Sequence, residues 1–308
     1  MVVFTTLAEK KYFLGVSALI NSIIENGTYA NKIVIGYRGE LPNWLPKLES
    51  SKNGRSFFIE SLEVEFVEVK GGLHMVHEKP TWFKYLTFEL EPDAEEYFFF
   101  DSDITVINRM DFFGEWVKQG VAICEDINYD MSSTHPVRKQ WAKIVESKGR
   151  IVTNPNLSRY YNSGFLGWTR DHKDFILDWY DAFIWLKELS GDLTRFRTKD
   201  RTNVVLSANQ DSLNLAVMMT NCDISVIGPE AMGFHYGLSL MQHPLGAKPW
   251  NLSFVKNAFR GIPPRYSDLL FWKNVNGIIS PYPVGYVKRK NRAIKLAKFI
   301  SRFYKKLD

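Results

Sequence analysis

Short apolar runs alternate with amphipathic stretches along most of the chain, and each pattern predicts an element. VVFTT at 2–6 is a strand, and Tyr12–Asn26 is a helix closed by Gly27. KIVIGY (32–37) is a second strand. LEVEFVEV (62–69) alternates apolar and acidic residues, as a strand with one wet face does. Thr81–Leu90 is a helix. Tyr97–Phe100 is four aromatics in a row, and Ile104-Thr105-Val106 extends that apolar pattern. A short, continuous apolar run predicts a central strand covered on both faces. GVAICED (120–126) is another strand ending in acids. YYNSGFLGW (160–168) is a strand interrupted by an Asn-Ser-Gly turn. In 174–189, Phe175, Trp179 and Phe183 fall at i, i+4 and i+8, a core stripe of a helix. NQDSLNLAVMM (209–219) is a helix and ISVIGPE (224–230) a late strand. From Trp250 to Tyr286, Gly, Pro and aromatics dominate, and irregular structure is expected. The alternation of strands and helices predicts an α/β fold with a mostly parallel sheet.

The aromatic strand ends in Asp101-Ser102-Asp103. In an open α/β sheet, ligands sit beyond the carboxyl ends of the strands. If the backbone stays extended there, both carboxylates point the same way. Adjacent carboxylates repel unless a cation lies between them, and hard oxygen ligands suit Mg²⁺ or Mn²⁺ with a substrate's phosphates. An Asx-type turn after the strand is the plainer alternative.

Composition narrows the field without naming a function. The chain has 308 residues, 45% hydrophobic and 15% aromatic, enough for one large α/β domain or two smaller ones. No apolar run approaches the ~20 residues of a membrane span. The stretch YFLGVSALI after two lysines is not read as a signal peptide, because a strand precedes it and Asn21, Ser22 and Glu25 interrupt the apolar run. Two cysteines, Cys124 and Cys222, without metal spacing fit a reduced, cytoplasmic setting. Residues 288–308 carry nine basic residues and one acid, +8 against +5 for the whole chain, so the body sums to −3. The tail therefore needs its own explanation.

Neither a G-x-G-x-x-G turn nor a Walker A loop follows a strand, so a bound nucleotide's phosphates must be met by metal and cations. HPLGAKPW (243–250) supplies candidates: His243 as a metal ligand, Lys248 as a compact charge for a diphosphate, and Gly246 for close backbone approach.

Taken in order, these motifs resemble glycosyltransferase family 8, the family of glycogenin and of bacterial lipopolysaccharide galactosyl- and glucosyltransferases. The order is Lys84 in TWFKYL, Asp101-Ser102-Asp103, Asn162-Ser163-Gly164, NQDSLN and the His-x-x-Gly-x-Lys-Pro-Trp loop, over residues 1 to about 250. The resemblance implies a GT-A catalytic domain over 1–250, followed by an irregular segment 251–287. It implies Mn²⁺ or Mg²⁺ held by Asp101, Asp103 and His243, and a UDP-sugar donor. Lys84 and Lys248 would meet the diphosphate, with Ser102 and Gly246 beside it, and Thr5 and Tyr12 the uridine. Asp126 and Asn162 would bond the donor sugar, with Gln210 and Asp211 near the anomeric carbon. Two positions depart from the family. Its acid after strand one falls near Leu7, with Glu9 displaced, and its Asp-Gln-Asp is Asn209-Gln210-Asp211. His235 in FHYG competes with His243 but lacks the Gly and Lys at the right distance.

The implied activity is metal-dependent hexosyl transfer, of glucose or galactose, with retention, to a glycan or lipid-linked acceptor in surface polysaccharide or lipopolysaccharide synthesis. A sugar-phosphate nucleotidyltransferase and a catalytically silent sugar-binding membrane adaptor are the alternatives. Read as a helix, 288–308 places Leu296, Phe299, Ile300, Phe303 and Leu307 on one face and Lys295, Lys298, Arg302, Lys305 and Lys306 on the other. That pattern predicts a peripheral helix on an anionic, cytoplasmic membrane face rather than nucleic-acid binding.

Overall fold

The computed structural model describes residues 1–27, 29–127, 131–196 and 204–304. Its strands are β1 (Val2–Glu9), β2 (Lys32–Arg38), β3 (Glu49–Ser50), β4 (Arg55–Ile59), β5 (Leu62–Glu68), β6 (Glu96–Phe100), β7 (Thr105–Val106), β8 (Val121–Glu125), β9 (Tyr161–Thr169), β10 (Ile224–Ile227) and β11 (Met241–Gln242). The helices are α1 (Phe13–Glu25), α2 (Lys79–Tyr85), α3 (Met110–Val117), α4 (Pro136–Ser147), α5 (Asp174–Ser190), α6 (Ala208–Met219), α7 (Phe254–Ala258), α8 (Tyr266–Asn274) and α9 (Val284–Ile300). Nine strands form one sheet in the order β10-β8-β9-β6-β1-β2-β5-β4-β3. The pairs β6-β1, β1-β2, β2-β5 and β10-β8 are parallel, and only β9 and β4 run against the rest. The expected mostly parallel sheet is present.

The aromatic run of β6 is explained by its position. Strand residues alternate faces. Tyr97 and Phe99 enter one buried cluster, with Trp168, Trp179 and Phe183. Phe98 and Phe100 enter the other, with Phe4, Phe113 and Phe165. All four are at most 1% exposed, and each fully buried ring contributes roughly 1.5–3 kcal/mol. A strand apolar on both faces thus fixes the centre of the sheet, and its carboxyl end fixes where the site lies.

Three expectations are corrected. β6 does not continue through 104–106: the chain turns at Asp101, where Ile104 N donates to Asp101 O at 2.9 Å, and Thr105–Val106 pairs antiparallel with Met241–Gln242. β9 is not interrupted at Asn-Ser-Gly. The strand runs from Tyr161 to Thr169, but its register against β8 shifts between the Ala122–Gly167 and Cys124–Asn162 pairs; Asn162 Oδ1 accepts from Gly164 N at 2.8 Å and Gly164 O accepts from Asp101 N at 2.7 Å within that irregularity. Residues 250–286 are not simply irregular, since α7 and α8 form there and α9 starts at Val284. With Ala18 of α1 they build a third cluster around Phe271, Trp272, Ile294 and Ala297. Asn21 on α1 donates to the carbonyls of Asn274 and Ile279, each at 2.8 Å, and so ties this unit to the sheet domain.

α9 also differs from the expected tail helix. It docks through Ile294 and Ala297, while Leu296, Phe299 and Phe303 stay 51–70% exposed. The apolar residues expected on one face are therefore split, with Ile300 partly buried on the docked side. Lys305, Lys306 and Leu307 lie outside the described residues.

Candidate functional site

β1 and β6 are adjacent and parallel, so their carboxyl ends open on the same side of the sheet. A cleft of about 600 Å³ lies there, next to the ends of β8 and β9 and the start of α6. The pairing of β7 with β11 places His243, the next residue, against the Asp101–Asp103 turn.

The geometry of the turn is specific. Asp101 gives Oδ1 to Lys79 Nζ at 2.6 Å and lies with Oδ2 3.8 Å from His243 Nε2. Asp103 gives Oδ2 to Lys248 Nζ and lies with Oδ1 3.4 Å from the same imidazole nitrogen. Each carboxylate thus has one oxygen on a lysine and the other toward His243. Ligand atoms of Asp101, Asp103 and His243 all lie within 4.8 Å of one another. Two carboxylate oxygens and the His243 Nε2 imidazole nitrogen are a donor set that suits Mn²⁺ or Mg²⁺. The residues present fit a divalent ion.

Burial pushes the Asp103 pKa up, but the charges of His243 and Lys248 outweigh it and hold the carboxyl well below the usual range. For Lys248, burial lowers the pKa and Asp103 raises it further, so the net shift is upward. Burial also raises the Tyr12 hydroxyl, and it pushes His77 down to about 4.

Beside the carboxylates is an amide network. Asn162 Nδ2 donates to Asp126 Oδ2 at 2.6 Å, and Gln210 Nε2 donates to the same oxygen at 3.2 Å. Gln210 Oε1 accepts from Ser163 N at 3.3 Å.

Ten of the thirteen expected site residues line the cleft: Tyr12, Asp101, Ser102, Asp103, Asp126, Asn162, Gln210, His243, Gly246 and Lys248. Three do not. Thr5 is buried, donating to Val34 O and accepting from Trp82 Nε1, each at 2.8 Å. Lys84 faces away, its Nζ 4.1 Å from the centre of the Tyr180 ring. Asp211 Oδ1 accepts from Tyr160 at 2.6 Å and its Oδ2 from the backbone of Leu206 and Ser207, which holds the start of α6. Burial and the adjacent Asp211 raise the Tyr160 pKa well above that of free tyrosine. Glu9 and Leu7 line the cleft near Tyr12, and His235 is exposed away from it.

Sequence reasoning missed Lys79, five residues before Lys84. The helix expected from the sequence begins at Thr81 and leaves Lys79 outside it, whereas α2 starts at Lys79. Sequence reasoning also missed Arg265 and Asp268. Arg265 Nη2 donates to Ala247 O at 2.6 Å and Nη1 to Leu245 O, gripping the loop between His243 and Lys248. Gly246 in that loop has φ +68°, a left-handed conformation that glycine adopts without strain.

Helix α1 packs directly under the turn. A Cβ on Gly15 would collide with the carbonyl oxygen of Ser102. Gly→Ala inside a helix ordinarily stabilises by roughly 0.5–1 kcal/mol, but forcing atoms into packed backbone costs about 1–3 kcal/mol. The collision should win, so Gly15→Ala is expected to lower the melting temperature by several degrees. An unchanged or raised value in calorimetry would show that the turn yields freely.

No protein-family model matches the chain, and no curated protein does. Among solved structures, one described as the WbbM bifunctional glycosyltransferase in its apo state is similar, with a TM-score of 0.53 at 13% identity. The match covers 94% of this chain and 52% of that one, so the chain spans about half the length of that protein. The likeness supports a GT-A-like α/β fold.

Proposed function

We propose that the chain is a metal-dependent glycosyltransferase of the family 8 type, moving a hexose from a UDP-sugar to a glycan or lipid-linked acceptor with retention. The observation that carries this reading is the convergence of Asp101 Oδ2, Asp103 Oδ1 and His243 Nε2 beside Lys248 in the cleft. A divalent ion at those atoms would supply Lewis-acid neutralisation of a leaving diphosphate. Lys248 adds a compact positive charge to the same field. It reaches the cleft from a loop, so it can turn from Asp103 toward a phosphate. Asp126, Asn162 and Gln210, already bonded to one another, orient sugar hydroxyls.

Retention is best served by front-face attack of the acceptor beside the leaving phosphate. Gln210 is the residue nearest the role of a nucleophile, and an amide is a poor one. Its oxygen is also turned to Ser163 N, which supports the front-face route.

Incubation with UDP-glucose and UDP-galactose, with and without Mn²⁺, tests the activity. Metal-dependent release of UDP is expected. Binding of UDP-sugar without release would favour a silent adaptor, and formation of a UDP-sugar from sugar phosphate and UTP would favour a nucleotidyltransferase. Lys248→Ala should weaken UDP binding in Mn²⁺ about tenfold, as loss of one charge-assisted contact does. Unchanged affinity by calorimetry would place the diphosphate elsewhere.

The membrane is the proposed setting of the acceptor. Leu296, Phe299 and Phe303 are exposed among Arg292, Lys295, Lys298 and Arg302, and Phe259 stacks edge-on to Tyr304 with centroids 5.3 Å apart. Exposed aromatics beside clustered cations suit an anionic interface. Among the described residues no helix is long and apolar enough to cross a membrane. The protein is expected to sediment with anionic vesicles in a salt-sensitive way. Phe299→Ser/Phe303→Ser should reduce that binding, and equal binding to neutral vesicles would refute the charge contribution.

A further inference from the structure

Lys79 opens α2 and is 2% exposed. Its Nζ lies 2.6 Å from Asp101 Oδ1, donates to Ser163 O at 2.8 Å and sits 4.8 Å from the centre of the Phe99 ring. These partners belong to the Asp101 turn, β9 and β6. Lys248 differs: its side chain is 19% exposed, and its other hydrogen bond is to Pro244 O in its own loop. Lys248 can leave for a phosphate, whereas Lys79 is enclosed.

We propose that Lys79 is a positioning residue of the site. It is a fixed internal counter-cation that holds Asp101 by Oδ1, leaves only Oδ2 for a divalent ion, and balances the carboxylate pair when no ion is bound. The inference builds on the metal reading above. Leaving His243 aside as a ligand imidazole, two lysines against two carboxylates balance in formal charge. A neutral cluster attracts a divalent ion weakly, and the ion's charge is then available to a diphosphate arriving with it. Without Lys79 the carboxylates repel each other with one lysine between them. The cluster then draws the ion more strongly, but it loses its fixed Asp101 geometry.

The test uses the full chain as Lys79→Met, Lys79→Arg and the double variant Lys79→Met/Asp101→Asn. Mn²⁺ alone is titrated and free Mn²⁺ is followed by electron paramagnetic resonance. Melting temperatures are taken in EDTA and in saturating Mn²⁺. Lys79→Met is expected to bind Mn²⁺ without nucleotide about tenfold more tightly, since a unit charge a few ångströms away is removed. Its melting temperature in EDTA should fall by roughly 5 °C, the cost of stranding a partly buried carboxylate. Mn²⁺ should recover most of that loss, and so should the double variant. Lys79→Arg should keep the weak Mn²⁺ binding of the parent.

Equal destabilisation of Lys79→Met with and without Mn²⁺, and no recovery in the double variant, would reduce Lys79 to packing and overturn the proposal. If Lys79→Met does not fold, a folded double variant supports the proposal and an equally unfolded one overturns it. If the parent binds no Mn²⁺, the metal reading fails, while the EDTA comparison still decides whether Lys79 balances Asp101.

Discussion

Asp103→Asn is expected to lower the proposed sugar transfer by about a thousandfold or more while the sheet stays folded. The side chain is 4% exposed and has two tasks: Oδ1 lies toward His243 Nε2 and Oδ2 meets Lys248. Asparagine keeps the volume but removes the charge that serves both. Loss of a preorganised electrostatic group typically costs about 10²–10³ in rate, and this residue would bear on the proposed ion and on Lys248 together. Asp101→Asn should act in the same direction. The stability effect has a definite sign. A carboxyl whose folded pKa is held below its unfolded value, about 3.9, stabilises the fold above that pH, and the contribution is lost as pH falls through the folded pKa. Asp103→Asn should therefore melt several degrees lower at pH 7, and the difference should shrink as the parent is acidified below about pH 4. Circular dichroism and UDP release in Mn²⁺ measure both. A folded variant with more than about a tenth of parental turnover would remove Asp103 from the metal role.

The sheet was legible in the sequence because strands buried on both faces are written as continuous apolar runs, and α5 was legible because Phe175, Trp179 and Phe183 repeat every four residues. Asp101, Asp103, His243 and Lys248 were legible as chemistry in a fixed order. Their convergence follows from a turn and from the two-residue pairing of β7 with β11, both too short to carry a periodic signal. Lys79 was not legible as a site residue because the helix expected from the sequence begins at Thr81; α2 starts at Lys79, and Lys79, not Lys84, lines the cleft. Residues 250–286 hid α7 and α8 because neither carries a clean amphipathic repeat: α8 is held against α1 through Ala18 and Asn21, and α7 packs against α9. The tail helix was legible as basic and amphipathic, but the docked stripe of Ile294 and Ala297 lies beside the aromatic face and was outweighed by it.

Arg265→Ala is expected to lower the proposed enzyme's kcat/KM by about 10- to 100-fold, the usual effect of removing a group that supports candidate metal ligands from behind. Arg265 touches no residue of the carboxylate cluster. It stands at the start of α8, where its backbone N–H and guanidinium both bond Asp268, at 2.9 Å to Oδ2 and 2.7 Å to Oδ1. Asp268 is 1% exposed and fixes the fork. The fork then holds the carbonyls of Leu245 and Ala247. The ends of that loop are tied separately, His243 N to Met232 O at 3.0 Å and Trp272 Nε1 to Pro249 O at 3.3 Å. Without Arg265 the middle of the loop is free between those ties, and Lys248 loses its fixed reach to Asp103. The Arg265 side chain is about one-third exposed, but its loss leaves the buried Asp268 carboxylate without its counter-charge, so some global stability should be lost as well. The expected signature is thus a raised KM for both Mn²⁺ and donor, alongside a melting temperature several degrees below the parent. Arg265→Lys should not rescue, because one ammonium cannot span two carbonyls and two carboxylate oxygens. If Arg265→Ala keeps parental Mn²⁺ and UDP affinity, or if lysine restores it, the helices after residue 250 are only a support for the fold and take no part in shaping the site.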